Sequence, residues 1–485
     1  MNVILFNPDE FRAESARCYG HPLAPTPNLD RLAAEGTRFD QCHVQHPVCT
    51  PSRCSFMTGW YPHVRGHRTL WHTLQPDEPN LLRYLKQAGY EVVWGGKNDL
   101  LSPQSFADSV DDFQLERRSV RAVRGLATSR NPWPVDDPRF ASFLYEPTDA
   151  PLEALPDYAK IDGAIEYLKS GPTRPFCLYL PLTFPHCPYV APRLWHELVD
   201  PEALPPLRPV RGADAPDFHR LIRQSRKLDR LDESVFRKIN AVYLGMIGLV
   251  DHLLGLLQET LERTGLADDT ALIFFSDHGD WAGDYGLVEK WPSALDDTIT
   301  RVPLVIKMPG GKPGHVVTEP TELLDIFATV LELAGVEAHH THFSRSLVSQ
   351  IQGATGEPNR AVFAEGGYSV HEPNCFEGRP NDSIFREPLH IYYPKGRLQQ
   401  DHPESVCRAA MVRTQTHKLI HRPDGVSELY NLLADPQELS NLHGKDLETQ
   451  QALERRLLDW SIQTADVTPF VEYPRGFPAN LSLSS

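Results

Sequence analysis

Apolar runs bounded by turn residues alternate along most of the chain with stretches whose apolar positions recur at helical spacing. A strand that is apolar on both faces needs a layer on either side, and intervening helices supply those layers. The pattern therefore predicts an α/β fold around a large, mostly parallel sheet sandwiched by helices. Residues 2–7 read as the first buried strand. Thr26-Pro27 opens a helix carrying Leu29, Leu32 and Ala33 on one face, and Gly36 stops it. A short helix at 81–88 ends at Gly89 and is followed by a strand at 90–95. Asp157 is expected to cap a helix running to about Lys169, ahead of a strand at 176–182. Residues 234–264 are apolar at helical spacing, close at Gly265 and lead into a strand at 270–276.

Residues 204–231 are rich in proline and charge and read as a surface excursion or lid. A helix at 323–334 stops at Gly335, and beyond it the texture changes. Short strands at 362–365, 408–413, 417–421 and 427–431 predict a small antiparallel sheet, with an amphipathic helix at 447–464 packed on it. The expected division is a catalytic domain over 1–355 and a smaller α+β subdomain over 356–485. There is no internal repeat and no low-complexity tract.

At 485 residues the chain exceeds what one core usually supports, which fits that division. Its net charge of −16 argues against nucleic acid as a partner, because phosphate binding needs a basic surface. An anionic small molecule stays possible, since screening over roughly 8 Å lets a few local cations outweigh distant carboxylates. The most apolar stretch, 242–257, carries Asp251 and His252 in its middle, so no membrane span is predicted. The first residues show neither a basic start nor a small-residue cleavage site, and a cytoplasmic protein is expected. Eight cysteines without short regular spacings form no disulfide framework.

The strongest chemical signal is Cys49-Thr50-Pro51-Ser52-Arg53, continuing to Met57-Thr58-Gly59. Pro51 suits the first turn of a helix and Gly59 its end, which places Cys49 where free N–H groups favour an anion. Arg53, one turn later, faces the same spot with a permanently charged fork. A buried thiol before an ordinary helix fits the same residues. So does zinc bound by Cys42, His43, His46 and Cys49, although Pro47 spoils helical presentation and no second close-spaced ligand pair exists. Asp9-Glu10 and Asp277-His278 each follow a predicted strand, at the carboxyl ends where ligands collect in α/β folds. Glycine-rich 310–314 lacks a phosphate loop's spacing, His339, His340 and His342 read as exposed loop residues, and no Gly-x-Ser-x-Gly elbow is present.

Cys-x-Pro-Ser-Arg followed by Met57-Thr58-Gly59 resembles the signature of the formylglycine-dependent sulfatases, in the alkaline-phosphatase-like superfamily. Residues 26–33, Ser276-Asp277-His278-Gly279-Asp280, Arg301-Val302-Pro303-Leu304 and Glu428-Leu429-Tyr430-Asn431-Leu432 are similar to further landmarks of that family, in the same order. The resemblance implies that Cys49 is oxidised to formylglycine by a formylglycine-generating enzyme. It implies a metal held by Asp9, Glu10, Asp277, His278 and residue 49, calcium by family habit, with manganese or magnesium also compatible with carboxylate ligands. Lys97 resembles the lysine that touches the formylglycine, His186 the histidine near the leaving-group oxygen, and Lys290 the lysine bridging sulfate and leaving group. With Arg53 these lysines would neutralise sulfate oxygens.

A thiol attacking sulfur leaves a stuck adduct, whereas an aldehyde hydrate has one hydroxyl to attack and another to expel sulfate. The implied reaction is hydrolysis of a small sulfated sugar or aryl ester. Phosphonate monoester or phosphodiester hydrolysis on the same scaffold is the rival, and a non-catalytic binding protein the rival of another class. Two positions depart from the family. Glu10 stands where Asp or Gln is frequent, and Asp99, in Lys97-Asn98-Asp99, stands where a histidine is thought to break down the sulfated intermediate. Phe376, Arg379, Phe385, Arg386, His390, Tyr392 and Tyr393 could stack on a sugar or aryl ring, or form a homo-oligomer contact.

Overall fold

The structure is a computed structural model and describes residues 1–122, 131–372, 377 and 383–467. Its larger sheet has eight strands: β1 Asn2–Asn7, β2 Thr37–His43, β3 Glu91–Trp94, β4 Phe176–Pro181, β5 Thr270–Phe275, β6 Arg301–Val302, β7 Leu304–Lys307 and β8 His315–Glu322. They run in the order β3-β4-β1-β5-β7-β2-β6, with β8 beside β2. The block β3-β4-β1-β5 is parallel, Leu5 pairing with Tyr179 on one side and Ile273 on the other. Beyond β5 the direction changes, with β7 antiparallel to both β5 and β2. The sheet is therefore mixed, with the parallel block β3-β4-β1-β5 at one end of the strand order.

Every residue of β1, β4 and β5 is buried, and strand period two sends neighbours to opposite faces. Ile4, Phe6, Leu178, Leu180 and Phe274 join one core with Leu29, Leu32 and the apolar stripe of the helix Glu233–Thr264. Val3, Leu5, Tyr179, Ile273 and Phe275 join the other, with Phe56, Met57, Leu82, Leu85, Phe327 and Val330 from the helices Cys49–Thr58, Leu81–Gln87 and Asp325–Ala334. Glu233–Thr264 is long and apolar enough to cross a membrane, but 89% of its most apolar window is buried in the fold.

Two expectations change. The helix Pro156–Lys169 starts two residues earlier than a cap at Asp157 requires: Leu155 is the cap and Pro156 takes the first position. Asp157, freed from capping, accepts from the backbone N–H groups of Thr183 and Phe184 at 2.8 Å each, fixing the loop after β4. Residues 204–231 are not a loose surface excursion. They contain the helix Asp217–Ser225, and the side chains of Arg208, Arg211 and Arg226 are largely withdrawn from solvent against acids from elsewhere. Arg208 pairs with Glu14 and Asp284, and Arg211 with Asp296 and Glu428.

The second sheet is antiparallel, in the order β12-β11-β10-β9, with β9 Val362–Gly366, β10 Ala409–Arg413, β11 His417–His421 and β12 Glu428–Asn431. The helix Leu447–Thr464 packs Leu453, Leu457 and Trp460 on Val412, Leu419 and Leu429. The far end of β9 leans on the segment that precedes the short helix Asp297–Thr300. Gly367 donates its N–H to the Pro292 carbonyl at 2.8 Å, and a Cβ on Gly366 would come within 2.3 Å of the same oxygen.

Candidate active site

The four parallel strands deliver their C-terminal loops to one place. Lys97 comes three residues after β3, His186 five after β4, Asp9 two after β1 and Asp277 two after β5. Because β1 and β5 are neighbours, the two carboxylates meet, and both are fully buried. Ser276 stitches their loops together: its hydroxyl accepts from the Phe11 N–H at 2.9 Å and lies 2.9 Å from the Pro8 and His278 carbonyls. Lys97 is brought in by the close approach of Gly96 to Pro181, where a Cβ would stand 2.0 Å from the carbonyl oxygen.

Cys49 is the first residue of its helix, and Gly59 ends that helix in the left-handed region at φ 71°. Arg53, one turn in, donates from Nη2 to Asp9 Oδ2 and from Nε to Asp277 Oδ2, both at 2.8 Å. Its Nη1 is buried without a protein hydrogen-bond partner. Burial pushes the Asp9 carboxyl up, but Lys97 and Arg53 together hold it well below the usual carboxylate range. The Cys49 thiol moves the other way: burial raises it well above an ordinary cysteine, and Asp9 adds to the effect.

Cys49 Sγ, Asp9, Asp277 and His278 offer donor atoms that all lie within 4.8 Å of one another. His278 donates from Nδ1 to the Gly279 carbonyl at 2.9 Å, so its Nε2 lone pair faces the cluster, 3.1 Å from Cys49 Sγ and 3.5 Å from Asp9 Oδ1. Burial lowers the pKa of His278 and keeps the ring neutral. Two carboxylate oxygens and a neutral imidazole held by a backbone carbonyl are the donor set of a divalent-metal site with its outer contacts in place. The residues present fit such an ion.

Glu10 is not part of this cluster. Its backbone has φ 67° and its side chain turns to the opposite wall, where Oε1 accepts from Lys290 Nζ at 2.5 Å and Oε2 from the Cys187 N–H at 3.2 Å. Nor does the zinc set assemble. Cys42 is buried in the core, His46 Nδ1 accepts from the Val48 N–H at 3.1 Å, and Cys49 alone of the four joins the acids.

Lys97 Nζ lies 2.7 Å from Asp9 Oδ2, 2.7 Å from Asp99 Oδ2 and 3.9 Å from Cys49 Sγ. Asp99 thus stands behind Lys97. Nearer to Cys49 Sγ than Lys97 is His278, at 3.1 Å. On the opposite wall, His186 Nδ1 is 2.6 Å from the Cys187 carbonyl, which can only accept, so that nitrogen carries the proton. His186 Nε2 then accepts from Lys290 Nζ at 3.1 Å. Burial and the charge of Lys290 push His186 well below an ordinary histidine, so the ring is neutral and the proton at this wall sits on Lys290.

Other sequence expectations move as well. His340 is buried, bonded to the Tyr84 hydroxyl and the Thr58 carbonyl, and is not an exposed loop residue. Phe376 and Arg379 lie outside the described residues, as does the Phe385 side chain. Tyr392 packs its ring 5.0 Å from that of Phe143, with its hydroxyl 3.4 Å from Cys187 Sγ, beside the His186 wall. Sequence reasoning passed over Asp280, which accepts from the Tyr189 hydroxyl at 2.7 Å and the Glu289 N–H at 3.1 Å. Its place in Ser276-Asp277-His278-Gly279-Asp280 was the available signal. Glu289, Arg226 and Lys395 carried none.

A mixed sheet flanked by helices, with a cysteine at a helix start facing acids on neighbouring strand ends, is the arrangement of the alkaline-phosphatase-like hydrolases. The family model described as Sulfatase matches residues 1–336, and the chain belongs to this family. The chain is 28% identical over 538 residues to the multifunctional alkaline phosphatase superfamily protein PehA of Trinickia caryophylli, covering 98% of each. It is 25% identical to arylsulfatase K of Bos taurus, covering 94% of this chain and 81% of that one. Among solved structures, the phosphonate monoester hydrolase of Agrobacterium radiobacter superposes with a TM-score of 0.76 at 21% identity over 96% of both chains. That likeness establishes the fold.

Proposed function

We propose that the protein hydrolyses a sulfate monoester of a sugar or aryl alcohol to the alcohol and inorganic sulfate, with residue 49 acting as formylglycine. The observation that carries this reading is the convergence of Cys49 with Asp9, Asp277 and His278 within 4.8 Å. Those three residues would hold a divalent ion, calcium, manganese or magnesium. Such an ion supplies Lewis acidity, lowering the pKa of an adjacent hydroxyl and drawing charge from sulfate oxygens. The aldehyde hydrate at position 49 supplies one hydroxyl to attack sulfur and a second to expel sulfate.

The chain's own residues do the rest. Arg53 fixes the angle of both acids and helps hold Asp9 in its ionised form. Lys97, held between Asp9 and Asp99, presents a positive charge beside residue 49. Lys290 stands on the far wall, where its ammonium steadies the leaving oxygen or gives it a proton, and His186 orients that ammonium by accepting from it. Asp99 acts through Lys97 in this scheme.

Maturation needs a formylglycine-generating enzyme, so the test begins there. Co-expressed with such an enzyme, the Cys49 peptide should show the mass of the aldehyde, and the protein should turn over 4-nitrophenyl sulfate. Full activity with an intact thiol would overturn the reading. The rival is phosphonate monoester hydrolysis, favoured by the superposition on the Agrobacterium radiobacter enzyme. A higher kcat/KM for an aryl phosphonate than for the matching aryl sulfate would install it instead.

A further inference from the structure

Lys290 does not stand at a strand end. It lies in a segment between β5 and the short helix Asp297–Thr300 whose regular structure is one turn at Asp284–Gly286. Something must hold it, and the residue before it is held on every side. Glu289 has φ 66°, a left-handed backbone that a side-chain-bearing residue keeps only under constraint. Its N–H donates to Asp280 Oδ1 at 3.1 Å and to the Tyr189 hydroxyl at 3.0 Å, and its carbonyl accepts from the Trp281 N–H at 3.1 Å. Its carboxylate is clamped as tightly: Arg226 Nη2 donates to Oε2 and Lys395 Nζ to Oε1, each at 2.7 Å. All three side chains are buried, and Lys290 Nζ lies 4.0 Å from the same Oε1.

Arg226 belongs to the 204–231 stretch and Lys395 to the helix Tyr393–Asp401, so segments distant in sequence converge on a carboxylate that does not touch the nucleophile. Lys395 also pairs with Glu377 at 2.6 Å. A buried carboxylate between two such cations is costly to assemble unless its place matters. We propose that Glu289 is a positioning residue: clamped by Arg226 and Lys395, it fixes the backbone from which Lys290 reaches the leaving-group oxygen. The inference rests on the proposed leaving-group role of Lys290. It adds that the 204–231 stretch and the Tyr393–Asp401 helix govern leaving-group departure without touching substrate.

The test uses two substrates of nearly one shape. The phenolate released from 4-nitrophenyl sulfate needs little help to depart, and that from phenyl sulfate needs much. On the matured enzyme, E289Q and K395M should lose about 10²-fold in kcat on phenyl sulfate but less than about 5-fold on 4-nitrophenyl sulfate, with KM nearly unchanged. K395R, which keeps the charge, should restore most of the loss. K395M leaves the Arg226–Glu289 pair intact and carries the test should E289Q fail to fold. Equal losses on both substrates, or a K395M defect that K395R does not relieve, would overturn the inference. K290A is the control: a leaving-group-selective K290A beside flat E289Q and K395M sinks the positioning role alone. A flat K290A sinks the reading of Lys290 and the inference with it.

Discussion

Asp9 and Asp277 reach Cys49 from the ends of two hydrogen-bonded strands, each within two residues of the sheet, whereas Lys290 is carried to the opposite wall by a loop anchored at Glu289. The acids inherit their precision from backbone pairing that the core already enforces, β1 and β5 being buried along their whole length. Lys290 borrows its precision from Glu289, whose carboxylate is held by charges up to 106 positions away from it in the chain. One wall is a property of the central sheet; the other exists only when peripheral segments have docked. Chemistry shared across a family can stay with the first, while the character of the departing alcohol is handled by the second.

That contrast can be broken most forcefully at the nucleophile. Cys49→Ala should abolish turnover, by on the order of 10⁴-fold or more, while circular dichroism shows the fold retained. Residual activity near that of the parent would remove residue 49 from the mechanism. Next in size is removal of the ion. Dialysis against a chelator should cost about 10²-fold or more in kcat and lower the melting temperature, and added calcium or manganese should restore both. A melting curve and a rate that ignore the chelator would mean that Asp9, Asp277 and His278 hold no metal.

A smaller effect is expected at Asp99. Because it pairs with Lys97, Asp99→Asn should slow turnover about 10-fold without accumulation of sulfated enzyme. Mass spectrometry showing a build-up of that species would make Asp99 the base for breakdown instead. The smallest effect lies in the docking of the 204–231 stretch. Arg208 holds the Glu14 carboxyl at about 2, below its usual 4.5, although burial alone would raise it. A depressed folded pKa gives stability that is present above pH 4.5 and lost as pH falls toward about 2. Glu14→Gln should therefore lower stability by about 1–2 kcal/mol at neutral pH, and the gap in melting temperature should close between pH 4.5 and 2. A gap that persists at about pH 2 would show that the pair is not its source.

The two walls also differed in how far the sequence disclosed them. The buried strands β1, β4 and β5 and the Cys49–Thr58 helix were legible because continuous apolar runs, Pro51 and Gly59 are local signals. The strands β2, β6, β7 and β8 were not. They are short or half-exposed, β2 alternating and β8 containing Pro320, and their pairing depends on distant chain. Charge misled most. Arg208, Arg211 and Arg226 look like solvated surface, yet each side chain is enclosed by acids that only folding brings near, and the same holds for Lys395. Glu10 is placed apart from Asp9. Its place next to Asp9 suggested a shared ligand role, and a left-handed backbone turns the two side chains apart.

The contact of Gly366 and Gly367 with the Pro292 carbonyl bears on how such enzymes can be recombined. The match to the family model ends at residue 336, which invites treating the C-terminal remainder as an exchangeable tail. With no side chain between the two parts, that seam tolerates neither a shift nor a larger residue, and it lies two positions from Lys290. A chimera that takes residues 337–467 from a relative would inherit a working nucleophile with a misaligned opposite wall unless the glycine pair, and the proline it rests on, travelled together.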